Sequence, residues 1–188
     1  MADTAVVEER SSQSLTLPAW GVVPVTVQLL LLVSASFVLP VAAHLAGLPV
    51  RSLLPMHWPI LLIGLIYGWR SGLAAGLLAP ILSFAVSGMP LPHILPSMTV
   101  ELAAYGLVAG VMRQAFGLNL FLSVGIALVT GRIVFLLVVF STGAVSQGFS
   151  EYLAAAMAPG LYAALGQFIL LPLIAMAAVG KRGAEESA

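Results

Sequence analysis

The chain has 188 residues, of which 61% are hydrophobic and only 7% are charged, and its mean hydropathy is +1.10. Because soluble domains carry about a quarter charged residues, this composition excludes an ordinary soluble domain and predicts a membrane protein. Seven basic residues balance seven acidic ones, which gives no indication of nucleic-acid binding, and there is no cysteine for a disulfide or a thiolate metal site. The apolar runs do not alternate with polar residues as barrel strands do, so the sequence predicts an all-α membrane protein.

The sequence divides into three parts. Residues 1–18 are polar and acidic on balance, and we expect a disordered cytoplasmic segment. Residues 19–180 are the predicted transmembrane domain, and residues 181–188 are a polar cytoplasmic tail. The first part lacks the positive start and short apolar core of a secretory signal, so the apolar run after it is predicted to be a retained span.

Six apolar runs qualify as membrane spans, which need about 20 residues at a helical rise of about 1.5 Å. The second and third are shorter and are expected to tilt, to re-enter or to be completed by loop residues. The sixth contains two prolines and is expected to be interrupted. The predicted spans run from about Trp20 to Ala46, Pro55 to Tyr67, Gly72 to Val86, Ser97 to Met112, Leu118 to Phe140 and Glu151 to Val179.

Basic residues indicate the orientation of these spans. With six spans, both termini and the connections after spans two and four lie on one side of the membrane. Cytoplasmic segments are enriched in Lys and Arg, and the opposite side holds only Arg51, so both termini are predicted to be cytoplasmic. The basic residues on the cytoplasmic side are Arg10, Arg70, Arg113, Lys181 and Arg182.

Small residues spaced four apart recur in the spans, and this spacing lets helix backbones approach closely in lipid. We expect packing inside the bundle, with docking to another membrane protein as the alternative. The motifs are Gly64-x3-Gly68, Gly72-x3-Gly76, Ala42-x3-Ala46 and Gly106-x3-Gly110. The proline-rich connection SGMPLPHILPSM, between spans three and four, is either a stiff lid over a cavity or an ordinary interfacial turn.

Two ionisable residues lie inside predicted spans, Glu101 in the fourth and Arg132 in the fifth. A charge in a bilayer is costly, so each is a functional hypothesis by default. The helical rise places both in the outer half of the membrane. There they could pair across the bundle, which would reduce the cost of burying each, and a purely structural ion pair is the alternative.

Other polar side chains are predicted at a similar depth. Tyr105 follows Glu101 by four residues and therefore lies on the same helix face, and Tyr162 lies in the sixth span. His57 and Trp58 begin the second span from the outer side. This asymmetry predicts a pocket that opens outward, as the uptake of a small polar molecule requires.

His57 has three interpretations, as a metal ligand, as a substrate contact or as an anchor at the membrane interface. Its neighbour Trp58 is typical of an interfacial aromatic belt. A metal site would need three or four convergent ligands. The candidates match no compact metal motif, so neither a metal nor a cofactor is predicted. Those candidates are His44, His57, His93 and Glu101.

Motifs of common membrane and soluble enzymes are missing. The sequence has no Gly-x-Ser-x-Gly elbow, no His-Glu-x-x-His and no Walker motif. A serine–histidine intramembrane protease stays open on motifs alone, although no serine has a Gly-rich catalytic setting. The sequence therefore predicts a protein that is not an enzyme and that cannot hydrolyse ATP by itself.

Three stretches resemble the substrate-binding S components of energy-coupling factor (ECF) transporters. They read LPMHWPILLIGLIYGWRSGLAAGLLAPILSF (54–84), GMPLPHILPSMTVELAAYGLVAG (88–110) and GRIV (131–134). The resemblance implies a six-helix bundle in a prokaryotic cell membrane that captures a vitamin or related micronutrient. It also implies a transmembrane scaffold subunit and two cytoplasmic ATPases as partners, with the S subunit toppling in the membrane to carry its ligand inward.

The resemblance also implies where the ligand binds. The family builds its pocket near the outer face from the later helices and the outer loops, which agrees with the depth of the polar residues above. Charged or amide groups of the ligand would meet Glu101 and Arg132, and aromatic side chains would add stacking or hydroxyl contacts. The predicted substrate-binding residues are His57, Trp58, Glu101, Tyr105, Arg132 and Tyr162.

One motif departs from the family, and other functions remain as alternatives. The family docks its scaffold through Ala-x3-Ala in span one, whereas the middle of that span here reads LLLLVSASFVLP. A cobalt or nickel uptake subunit is an alternative, which the pair Met56-His57 resembles, although that branch uses the mature N-terminus as a ligand. An intramembrane enzyme and a structural membrane protein without a substrate are the others.

Overall fold

The computed structural model describes residues 15–143 and 149–185, and within these ranges the regular elements are all helical. The predicted all-α class is therefore confirmed for this part of the chain. In chain order the helices are α1 (Val22–Leu45), α2 (Val50–Leu53), α3 (His57–Tyr67), α4 (Trp69–Ser87), α5 (Leu95–Gln114), α6 (Leu120–Ser141) and α7 (Phe149–Glu185).

Six of these helices correspond to the six predicted spans. Five of the described helices are long and apolar enough to cross a membrane, and the sixth candidate, α3, is apolar but has only 11 residues. The short α2 is an additional element that precedes α3. The number of membrane crossings and the cytoplasmic termini stay predictions.

The last helix differs from its prediction. α7 continues through Pro159 and Pro172 and extends to Glu185, into the predicted polar tail. Proline is tolerated in membrane helices because neighbouring helices and local adjustments satisfy the freed carbonyl groups. The expected interruption of the sixth span is therefore wrong.

Close backbone contacts join α3, α4 and α5. A Cβ atom on Gly106 would overlap the backbone of Gly72, one on Gly76 would overlap that of Leu102, and one on Gly64 would overlap that of Gly106. These pairings make α4 and α5 antiparallel neighbours with α3 against both. The small residues of these three helices therefore pack inside the bundle, as predicted, whereas Ala42 on α1 is exposed.

The end of the predicted N-terminal segment is packed against the bundle. The N–H of Leu17 donates to the carbonyl of Ile66 at 2.6 Å, and Nη2 of Arg113 donates to the carbonyl of Leu15 at 2.9 Å. Disorder is thus wrong for these residues, because the carbonyl of Leu15 accepts from buried Arg113 and the N–H of Leu17 donates to Ile66. The remainder of the segment, residues 1–14, lies outside the described residues.

Candidate functional site

A sharp turn sets the direction of His57 at the start of α3. The short helix α2 ends at Leu54, which has a left-handed backbone with φ of 45°. The indole Nε1–H of Trp58 donates to the carbonyl of Leu53 at 2.9 Å, and this hydrogen bond connects the start of α3 to the end of α2. Pro59 lies in the first turn of α3, where a backbone N–H would have no helical partner.

Glu101 and Tyr105 lie on one face of α5, as their spacing predicts. The Tyr105 hydroxyl donates to Oε1 of Glu101 at 3.2 Å, and both side chains are buried. This hydrogen bond satisfies the Tyr105 hydroxyl and fixes the carboxylate that accepts it.

Arg132 reaches the same carboxylate from α6. Its Nη1 lies 3.1 Å from Oε1 of Glu101, so the predicted pair across the bundle is present. The guanidinium also lies over the ring of Phe135, 5.7 Å from its centroid. A Cβ on Gly160 of α7 would lie 3.1 Å from Nη2 of Arg132, so this glycine leaves room for the arginine.

His57 completes the cluster from α3. Its Nε2 lies 3.7 Å from Oε1 of Glu101, which is beyond hydrogen-bonding distance. Its ring meets that of Tyr105 edge-on, with the centroids 5.2 Å apart. The side chain is 2% exposed, and both ring nitrogens lack a hydrogen-bond partner among the described residues. His57 therefore points into the bundle and not toward the membrane interface.

The four side chains form one charge-balanced group, which we call the Glu101 cluster: His57, Glu101, Tyr105 and Arg132. Oε1 of Glu101 takes the three contacts described above, from Tyr105, Arg132 and His57. The charges of Glu101 and Arg132 cancel, which lowers the cost of burying either one. A buried cluster from three helices is suited to holding a polar ligand group in a fixed direction.

A cavity of about 200 Å³ lies next to the Glu101 cluster, and His57 belongs to both. Its walls come from four segments: the end of α1, the stretch from α2 to the start of α3, the end of α4 with the connection after it, and the first turn of α5. Met89 and Pro90 of the connection between α4 and α5 lie on this wall, and a lid and an ordinary interfacial turn both stay predictions for the connection. Eleven residues line it: Pro40, His44, Val50, Leu54, Pro55, Met56, His57, Ser83, Met89, Pro90 and Met98.

Two predicted site residues lie outside the cluster. The ring of Trp58 packs toward α7, where a Cβ on Gly166 would lie 3.1 Å from its Cη2 atom. Tyr162 is 75% exposed. Neither lines the cavity. A role in substrate binding for Trp58 and Tyr162 stays a prediction.

Gly131 was missed from the sequence as a residue of the site, and Gln167 is a further buried polar residue on α7. A Cβ on Gly131 would lie 2.6 Å from Cδ1 of Tyr105, so this glycine lets α6 approach the tyrosine ring. Gln167 is 1% exposed, and neither its amide nitrogen nor its amide oxygen has a hydrogen-bond partner among the described residues. In the sequence, Gln167 is recognisable as an amide side chain within an apolar span. Gly131 has no such distinguishing feature, apart from being the neighbour of Arg132.

The four residues considered as metal ligands do not form one group. In the described ranges no three His, Asp, Glu or Cys residues are close enough to hold a metal ion. Of the four candidates, His57 and Glu101 meet, whereas His44 and His93 are exposed.

The apolar helices and the polar residues gathered between them define a multi-pass membrane protein. The family model for the substrate-specific component of ECF transporters matches residues 27–181. The match covers most of the sequence, and the chain belongs to this family. No curated protein and no solved structure matches the chain significantly.

Proposed function

We propose that this chain captures a vitamin or related small micronutrient at the outer face of a prokaryotic cell membrane. Uptake would then require a transmembrane scaffold subunit and two cytoplasmic ATPases, since the sequence has no nucleotide-binding motif of its own. Membership of the substrate-specific family supports this proposal. Both termini would lie in the cytoplasm, so that the cavity beside His57 opens outward.

The observation that carries the proposal is the Glu101 cluster beside the cavity. A structural ion pair alone needs no neighbouring cavity and no buried histidine without hydrogen-bond partners. We assign the ligand's polar group to His57, with Glu101, Tyr105 and Arg132 holding that side chain in position. Trp58 and Tyr162 remain candidates for further contacts.

Mass spectrometry of the purified protein tests this proposal. We expect a small molecule to co-purify with the wild-type protein and to be lost from Glu101→Gln, because the variant leaves Arg132 unpaired beside the cavity. The matched control is Glu151→Gln, the same chemical change on the exposed first turn of α7. Equal ligand occupancy in Glu101→Gln and wild type would refute the assignment of the site.

A further inference from the structure

We propose that the cavity beside the Glu101 cluster takes a compact, uncharged molecule. This molecule would carry a planar ring and an edge that both donates and accepts hydrogen bonds. The inference deepens the proposed function and rests on it. Four features of the cavity support it, namely its charge, its walls, the hydrogen-bonding state of His57 and its volume.

Among the described side chains that line the cavity, His44 and His57 are the ionisable ones. None of the described residues that line it is Asp, Glu, Lys or Arg. The charged side chains of the cluster, Glu101 and Arg132, do not line the cavity and already pair with each other. A charged group in such surroundings would lose its hydration without gaining a carboxylate, ammonium or guanidinium partner among the described lining residues, which disfavours ionic ligands.

The walls favour a flat ring. Three methionine side chains line the cavity together with three prolines, and thioethers make favourable contacts with aromatic rings. Methionine is also flexible, so these walls can close on rings of slightly different shape. The methionines are Met56, Met89 and Met98.

His57 determines what the edge of the ring must carry. The two ring nitrogens of a histidine donate or accept hydrogen bonds, and neither nitrogen of His57 has a hydrogen-bond partner among the described residues. Ser83, which is 4% exposed, adds a hydroxyl that can donate or accept. The two nitrogens of one imidazole point in different directions, so a ligand edge with a donor and an acceptor side by side, as in a carboxamide, would bond one nitrogen of His57 and the hydroxyl of Ser83.

The volume of the cavity limits the size of the ligand. At roughly 20 Å³ for each closely packed non-hydrogen atom, a cavity of about 200 Å³ holds on the order of ten such atoms. This corresponds to one ring with a short polar substituent. A larger ligand would have to extend through the opening of the cavity.

Binding of three matched probes tests the inference. Benzamide, benzoate and benzamidinium share one ring and one planar head group, and at neutral pH they differ in charge. Ligand-detected NMR on the purified full chain should show benzamide binding about tenfold or more tightly than either ion, because only the ions bury an unpaired charge. Benzoate or benzamidinium binding as tightly as benzamide would overturn the inference.

A charge placed on the cavity wall provides a second test. In Ser83→Asp we expect benzamidinium to become the preferred probe, since the new carboxylate supplies the missing counter-charge. Ser141→Asp, at the exposed end of α6, is the control and should keep the wild-type order. If the folded Ser83→Asp variant kept the wild-type order of probe affinities, the inference would be overturned. If the variant does not fold, the comparison of the three probes on the wild-type protein decides.

The outcomes separate this inference from the proposed function. A co-purified molecule that carries a net charge would overturn the inference and leave the proposed function standing. An uncharged co-purified molecule would support both, even where benzamide itself is too small to bind. If no molecule co-purifies and none of the three probes binds, both are overturned.

Discussion

At the scale of single residues, Glu101 organises the site. Its Oε1 atom takes a hydrogen bond from Tyr105, an ion pair from Arg132 and a longer contact from His57. The side chains come from α3, α5 and α6, so the contacts within the cluster depend on how these helices pack against one another. We therefore expect a substitution of Glu101 to affect ligand binding through the positions of its three neighbours.

Replacement of Gly131 tests whether the contact between Tyr105 and Glu101 matters for ligand binding. In Gly131→Ala the new methyl group would meet the ring of Tyr105 at 2.6 Å, so the ring must move and release its hydrogen bond to Glu101. We expect affinity for the co-purified ligand to fall about tenfold, the equivalent of one lost hydrogen bond to a charged group. Isothermal titration calorimetry on ligand-free protein measures this change.

The control for this substitution lies on the same helix. In Gly125→Ala the methyl group would approach the ring of Phe168 at 3.3 Å, and that ring is 40% exposed and can shift. Gly125→Ala should therefore bind like the wild type. If Gly131→Ala bound equally well, the position of the Tyr105 ring would be irrelevant to the ligand.

At the scale of helices, the crossing of α3, α4 and α5 holds the site together. Glycines at the contacts bring the three backbones together without intervening side chains, and lipid-embedded helices depend on such packing because they gain no hydrophobic energy from one another. The glycine contacts come later in the chain than His57 on α3 and later than Glu101 on α5. They therefore fix the distance between these two residues.

A methyl group at this crossing should weaken the bundle. In Gly106→Ala the new Cβ overlaps the backbone of Gly72, which cannot move aside as a side chain can. We expect a loss of about 1–3 kcal/mol in the free energy of unfolding, as for overpacked cores. Unfolding followed by circular dichroism in a detergent series measures it. Gly180→Ala, where a Cβ would meet nothing within 4 Å, should leave stability unchanged, and equal stability of both variants would contradict this account.

The sequence predicted those parts of the site that depend on helical period and membrane depth. The four-residue spacing placed Tyr105 beside Glu101, and similar depth predicted the pair of Glu101 with Arg132. The direction of His57 was not predictable, because it follows from the left-handed backbone of Leu54, a conformation unusual for leucine. The cavity was not predictable in detail either, since its walls come from four separate segments.

The continuous course of α7 was likewise not predictable from the sequence. Two prolines predicted an interruption of the sixth span, yet the helix continues through both. Proline breaks an isolated helix because it removes a donor and crowds the preceding turn. Packing against neighbouring helices can offset that effect, and a single sequence does not show where neighbours lie.

At the scale of the whole molecule, the two ends of the bundle differ. One end holds the cavity and the Glu101 cluster, in which His57 lacks hydrogen-bond partners among the described residues. At the other end the carbonyl of Leu15 accepts from Arg113, while a second nitrogen of Arg113 donates to the carbonyl of Leu118. A second cavity, of about 340 Å³, lies beside the starts of α1 and α4, so the ends differ in the buried polar cluster and not in having a cavity.

Uptake by the assembled transporter tests the central proposal most directly. Proteoliposomes would contain this chain with scaffold and ATPase subunits from the same organism, ATP on the ATPase side, and the co-purified molecule in labelled form outside. We predict that Glu101→Gln assembles with its partners like the wild type and takes up the molecule about tenfold or more slowly, because Arg132 is left unpaired at the site. Uptake by an assembled Glu101→Gln complex at the wild-type rate would contradict the assignment of the Glu101 cluster as the substrate site.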